Sequence, residues 1–421
     1  MGRTSGDWFI DLFLKEAERI IDKLKSRDSI GSRIEPKEWW IPGLPSPANK
    51  GLVAAVDGGA GLQPLSGGGG IYIARAFGYI PGDQPSRRLI ARLYPVREAK
   101  LLEAMRMMTE HTVLLDLAKR VPSNSIILVD GSLWALLTSV LSMVLRALRR
   151  RITSLALPYA LKTLQLLGNA LETANRRNVI VAYVSKDYSY SVLKEIAIAW
   201  LMTEAGLAPK KAIEHALEWY PATRRLASLA GSWEPARRLL DRSYNDGVFI
   251  EDSIGASTGY TKPIRIPPLR GLVERIASKG VRTLVEESCS MLAEDEPELE
   301  CNPKDLAEVL DRLPSSKAIY VKLSAYDKPL LVELPVKEVS YYMPGRWIEE
   351  PGPYDTRIVE ALVAEYGGPY YYNTSLIVAH INATLSEQQI AYYMRILEEI
   401  AASRGLVLPL PRRSTSHWWR T

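Results

Sequence analysis

The sequence predicts an α/β fold: a mixed sheet of three antiparallel strands followed by parallel strands, flanked by helices and interrupted by a large, mostly helical insertion. Three observations carry this. Residues 51–56, 71–80 and 88–96 are short apolar or alternating stretches with short gaps between them, which favours antiparallel pairing. Residues 125–133 (SIILVDGSL) and 178–186 (NVIVAYVSK) are unbroken apolar runs, as expected of strands covered on both faces, and a helix-length segment precedes each. Residues 190–315 then read as mostly helical before strands return at 317–324 and 329–335.

Taken in order, Trp8, Phe9, Leu12, Phe13, Ile20, Ile21 and Leu24 recur at helical spacing among charges, so residues 5–27 form an amphipathic helix suited to docking on a core or a partner. Pro36, Pro42, Pro45 and Pro47 make 34–50 a linker or extended arm. The strand 51–56 (GLVAAV) ends in Asp57-Gly58-Gly59, Gly67 to Gly70 form a turn, and IYIARAFGYI and RLIARLYPV are the second and third strands. Residues 97–120 are a helix whose apolar face is Leu101, Leu102, Met105, Met108, Val113, Leu114 and Leu117. The strand from residue 125 runs into Asp130-Gly131-Ser132, with Ser132 in position to cap a helix that starts near Leu133. Residues 154–175 are helical and 178–186 form the fifth strand. A final helical region follows Tyr370-Tyr371-Tyr372, and the tail LPLPRRSTSHWWRT is basic and aromatic. Three antiparallel strands followed by alternating helices and parallel strands is the layout of the RNase H-like fold. The expected division is an N-terminal helix and arm (1–50), a first core part (51–189), a helical insertion (190–315), the remainder of the core (316–404) and the tail (405–421).

Composition narrows the function classes. The chain has 421 residues, 47% hydrophobic and 24% charged, and so has ample material for a core. A net charge of +5 and a pI near 8.9 permit a polyanionic partner without demanding one. Cys289 and Cys301 do not form a CxxC pair, so a structural zinc site is not expected; two reduced thiols in a cytosolic protein is the plain reading, a single bridge the alternative. The N-terminus lacks an apolar core and cleavage site typical of a leader, and the longest apolar run, 132–145, is too short to span a bilayer. A cytoplasmic protein that does not enter the membrane is expected. No GxxxxGK[ST], GxSxG or HExxH motif occurs, and neither Asp-Gly opens a DxDx[TV].

The residues that can carry chemistry are few. Asp57 and Asp130 each follow an apolar run and precede glycine, which holds a carboxylate rigidly at a cleft and lets a neighbour approach. Two such carboxylates on adjacent strands repel each other unless a hard divalent cation lies between them; an ordinary Asp-Gly turn is the plain alternative. Glu103 and Glu110 lie seven residues apart in the intervening helix, on one face, and either can join such a cluster or simply be solvated. Lys186 and Asp187 follow the fifth strand, where a lysine can contact phosphate and the aspartate can ligate. His380 sits in the apolar segment SLIVAHINATL and needs a partner or a purpose there, and Tyr372 lies eight residues earlier. Arginine clusters at 146–151, 224–225 and 237–242 are either solvated helix faces or the lining of a nucleic-acid channel.

AVDGG at 55–59, LVDGS at 128–132, VSKD at 184–187 and IVAHINAT at 377–384 together resemble, in order, the successive motifs of the NurA nucleases, over a span from about residue 51 to 400. The resemblance implies an RNase H-like fold and a Mn²⁺-dependent deoxyribonuclease, with Mg²⁺ as the alternative ion, acting as a 5′ to 3′ exonuclease and single-strand endonuclease. It also implies a homodimeric ring on the hexameric HerA translocase, working beside the Mre–Rad complex in DNA end resection. Carried over, Asp57 and Asp130 match the metal-binding aspartates, Glu110 is the expected helix glutamate with Glu103 in reserve, and Lys186, Tyr372 and His380 match the later motif residues, His380 also as a metal ligand. One departure stands out: the first motif reads Asp-Gly-Ser in the family, and Gly59 replaces that serine here. The readings that compete with a DNA nuclease are an RNA-cleaving enzyme of the same fold and a non-catalytic DNA-threading ring or clamp for a motor ATPase.

Overall fold

The computed structural model describes residues 10–25, 38–47, 51–150, 154–186, 188–189, 191–217, 222–233, 245–266, 313–336, 347–369 and 371–410, with isolated positions between 267 and 312. Its elements are α1 (Ile10–Lys25), β1 (Trp40–Pro42), β2 (Val53–Pro64), β3 (Gly70–Tyr79), β4 (Ser86–Tyr94), α2 (Ala99–Arg120), β5 (Ile126–Asp130), α3 (Leu133–Arg150), α4 (Ala156–Arg176) and β6 (Ile180–Ser185). There follow α5 (Val192–Glu204), α6 (Lys210–Leu217), α7 (Thr223–Ala230), α8 (Asp246–Ile254), β7 (Gly259–Thr261), β8 (Ile264–Ile266), β9 (Ser315–Lys322), β10 (Leu330–Val336), α9 (Pro353–Ala364), α10 (Thr374–Ala383) and α11 (Glu387–Ser403).

One ten-stranded sheet organises them, in the order β1-β7-β9-β10-β6-β5-β2-β3-β4, with β8 paired to β9. Strands β2, β3 and β4 are antiparallel neighbours, and β2, β5 and β6 are parallel, which is the expected RNase H-like core. The β9–β10 hairpin extends it antiparallel beside β6. Side chains alternate across the sheet. Val56, Val129 and Tyr183 face the core under α2, α3 and α4, Ala318, Tyr320 and Leu331 face α5 to α8 further along the same side, and Ala55, Leu128, Val184 and Val332 pack on α9 and α10 on the opposite side. The molecule is therefore layered helix–sheet–helix. The apolar run at 132–145 lies within α3, where Ser132 Oγ accepts from Ala135 N at 3.0 Å as an N-cap. Among the described residues no helix is long and apolar enough to cross a membrane.

Several elements differ from expectation. Strand β2 does not end at Asp57; it continues to Pro64, pairing Asp57 with Phe77 and Pro64 with Gly70. The glycines there mark close approach by other elements rather than a turn. The arm 34–50 contributes β1, an edge strand against β7, because Trp39 and Trp40 are buried in the α5–α8 core. Residues 190–315 contain β7 and β8, which join the sheet; most of 268–315, with Cys289 and Cys301, lies outside the described residues. Helix α9 was not expected, and the C-terminal helical region is two helices. Ser386 breaks it by starting a capping box with Gln389. On α1, Leu12, Phe13 and Ile20 are exposed. The first residues of the tail lie along the β2–β3 turn, where Ser66 N donates to Pro409 O at 2.7 Å.

Candidate functional site

Parallel register sets Val56 beside Val129, so the next residues, Asp57 and Asp130, are neighbours on β2 and β5. With the valines turned into the α2 core, both carboxylates face the other side of the sheet, where α10 lies. That helix carries His380, whose Nδ1 is 2.7 Å from Asp57 Oδ2 and 3.7 Å from Asp130 Oδ2. Donor atoms of Asp57, Asp130 and His380 all lie within 4.8 Å of one another, a group that could hold a divalent cation. Asp57 Oδ1 accepts from Gly58 N at 2.6 Å, which fixes the carboxylate's rotation.

Helix α10 is held at both ends. Asn373 caps it, accepting from Leu376 N at 2.9 Å, and Ser375 Oγ donates to Val53 O at 3.2 Å. At its C-terminal end Arg75, on β3, donates to Ala383 O at 3.0 Å and to Thr384 O, and reaches Tyr393 and Gln389 on α11. Leu376, Ala379 and Ala383 form the buried stripe, which leaves His380 at its border, 42% exposed. Gly59 belongs to this arrangement: a Cβ there would lie 2.1 Å from Ala383 O. Gly59 is the residue that lets α10 cross β2.

Glu110 approaches from the α2 side. Gly58 leaves the space it uses, since a Cβ at Gly58 would lie 2.9 Å from Glu110 Oε2. Arg106, one turn earlier, donates to that same oxygen at 2.8 Å. Burial pushes the Glu110 carboxyl up to about 8; Arg106 opposes the shift, and the charges of Asp57 and Asp130 add to it. Asp130 is pushed up to about 6, again chiefly by burial and then by Asp57, while Lys186, His380 and Arg106 pull it down. Two carboxyl groups raised by burial, Asp130 and Glu110, and the Asp57–Asp130–His380 group of close donor atoms fit a divalent cation: its charge would relieve both the burial cost and the mutual repulsion.

The remaining expected residues divide. Lys186 is exposed just past β6, its Nζ 5.4 Å from the centre of the buried Tyr372 ring, and its charge acts on Asp130. Glu103 points elsewhere, accepting from Ser139 Oγ and Lys100 Nζ, both at 2.5 Å. Asp187 lies outside the described residues. Arg146, Arg149, Arg224 and Arg225 are exposed; the 237–242 cluster lies outside the described residues. Sequence reading missed Arg106, whose signal was its spacing of four from Glu110. It also missed the buried pair His111 Nε2 and Tyr183 Oη, 2.9 Å apart, which ties α2 to β6 one residue beyond Glu110. Burial holds His111 down at about 4, so its ring is neutral and donates from Nδ1 to Met107 O at 2.7 Å.

Sheet order and carboxylate placement together define an RNase H-like α/β protein with a cation-site geometry across its central parallel strands. Among solved structures, the crystal structure of the NurA nuclease from Sulfolobus solfataricus aligns with this chain at a TM-score of 0.51 and 13% identity, over 93% of this chain and 94% of its own. The likeness is one of fold. A second structure, entitled crystal structure of NurA, aligns at 0.41 and 13% identity, covering 92% and 95%. LC9-RNase H1, a type 1 RNase H with the type 2 active-site motif, aligns at 0.18 and 13% identity, covering 47% and 88%. No protein-family model and no curated protein matches by sequence.

Proposed function

We propose that this chain is a divalent-cation-dependent nuclease that hydrolyses phosphodiester bonds in DNA. The observation that carries the reading is the meeting of Asp57, Asp130 and His380 within 4.8 Å, with Glu110 alongside. Asp57, Asp130 and Glu110 would hold the cation, with the His380 imidazole within reach as a further donor, which favours Mn²⁺ over Mg²⁺. When bound, the cation supplies Lewis-acid stabilisation of charge on a phosphoryl group and a nucleophile at neutral pH. His380, partly open to solvent, would ligate or carry a proton. Lys186, braced on the Tyr372 ring, would neutralise a phosphate beside Asp130.

The finer assignment follows the NurA nuclease whose fold this chain shares. It comprises 5′ to 3′ exonuclease and single-strand endonuclease action, a homodimer on a HerA-type hexameric ATPase, and a place in double-strand-break end resection beside Mre–Rad. The test is cleavage of 5′-labelled single-stranded DNA with Mn²⁺, with EDTA, and by the Asp57→Ala and Asp130→Ala variants. Expected is Mn²⁺-dependent degradation reduced at least ~10³-fold in either variant. A folded wild type that leaves DNA intact, with and without the translocase, while RNA is cleaved, would redirect the reading to RNA. Inactivity on both would leave a threading subunit.

A further inference from the structure

Arg106 stands at the rim of the carboxylate cluster with one partner among the described residues. Its Nη1 donates to Glu110 Oε2 at 2.8 Å, and the pair is lopsided: the Glu110 side chain is 5% exposed, that of Arg106 36%. A guanidinium carries five N–H donors, and Glu110 engages one of them. A Cβ at Gly58, the residue after Asp57, would lie 3.2 Å from Arg106 Cγ, so the arginine's stem runs beside β2 where the strand carries Asp57, and its charge lowers the values of both Glu110 and Asp130.

A carboxylate drawn to a dication cannot serve a guanidinium equally well. The dication also repels the guanidinium, and even where it displaces a proton the site gains positive charge. A phosphodiester arriving at the cation brings negative charge to the same place, and its paired oxygens suit the planar fork of an arginine. From this we infer that Arg106 is a phosphate-binding residue that exchanges partners: it holds Glu110 while the carboxylates lack a cation, and turns to a phosphodiester oxygen when Glu110 is drawn to one. The inference rests on the nuclease reading. It makes nucleic-acid affinity depend on the cation through a residue that is not itself a ligand.

The test uses the full chain as wild type, Arg106→Gln and Arg106→Lys. Glutamine keeps an N–H donor for Glu110 and removes the charge; lysine keeps the charge and loses the fork. Binding of a fluorescent single-stranded oligonucleotide is measured in EDTA and in Ca²⁺ across a salt series, and Mn²⁺ affinity by electron paramagnetic resonance of the free ion. In Ca²⁺, Arg106→Gln is expected to bind DNA about tenfold more weakly, with a salt slope smaller by about one, and Arg106→Lys to fall between. In EDTA the variants should match wild type to within about twofold. Mn²⁺ should bind Arg106→Gln at least as tightly as wild type. Equal loss of DNA binding in EDTA and Ca²⁺, no loss in Ca²⁺, or Mn²⁺ and DNA affinity falling together overturns the exchange; the last outcome would make Arg106 a support for Glu110. A wild type whose Mn²⁺ binding is absent, or unchanged by Asp57→Ala, defeats the nuclease reading itself, a result distinct from wild-type-like behaviour of Arg106→Gln in a protein that binds both.

Discussion

Glu110 shows how burial is turned to use. Its ordinary carboxyl value is 4.5 and its place beside Gly58 raises it to about 8. A raised value in the folded state means that the associated stability is fully present below about 4.5 and is lost as pH rises through about 8. In the metal-free protein, Glu110→Gln should therefore leave stability at pH 5 nearly unchanged and raise it at pH 9 by on the order of 2 kcal/mol, read from urea midpoints in EDTA. Stabilisation that is equal at both pH values would mean that Glu110 is not held protonated. The same shift, with Asp130 at about 6, requires Mn²⁺ to displace protons. Calorimetry in buffers of different ionisation enthalpy should show proton release at pH 7 and an affinity that climbs from pH 6 to 9. Gly59 makes a residue-scale prediction of the opposite kind. A serine at Gly59 would put a Cβ 2.1 Å from Ala383 O, so Gly59→Ser should lower stability by roughly 1–3 kcal/mol. A variant melting with wild type would show that α10 can yield.

At the scale of elements, the cluster depends on α10 lying across β2, and Arg75 is what holds its C-terminal end. A single guanidinium serves Ala383 O, Thr384 O, Tyr393 and Gln389, and so clamps the junction of α10 and α11 to β3. Arg75→Ala should cost roughly 2 kcal/mol and, in hydrogen exchange, loosen residues 374–403 while α2 and α4 keep their protection. Uniform loss of protection would place the clamp's role in the whole sheet instead. The break between α10 and α11 was written in the sequence as Ser386 and Gln389, three residues apart, a capping pair overlooked amid continuous helical periodicity. Strand β2 hid its full length for a related reason. Gly58 and Gly59 look like a terminator locally, and only the helices crossing them show that they are contact points.

On the scale of the whole molecule, one sheet joins segments far apart in sequence, and its two faces are covered by different parts of the chain. The face of β2, β5 and β6 opposite α2 to α4 is closed by α9 and α10. A fragment spanning 51–189 would leave Val53, Ala55, Leu128 and Ala182 uncovered, although it carries the five RNase H-like strands. It should fail to unfold cooperatively and should bind a dye for exposed apolar surface; a sharp thermal transition with native-like protease resistance would show an autonomous unit. By itself the sequence determined the strand order of the core, through apolar period and gap length, and singled out Asp57, Asp130 and His380 as polar residues that apolar segments do not place without reason. Those signals are local, and local patterning reads well along a chain. Tertiary structure alone decided between Glu103 and Glu110 as the neighbour of the aspartates, because seven residues of helix put both on one face and only packing on Gly58 separates them. It alone explained Gly59, since a close approach between residues hundreds of positions apart, as Gly59 and Ala383 are, leaves no periodic trace in the sequence.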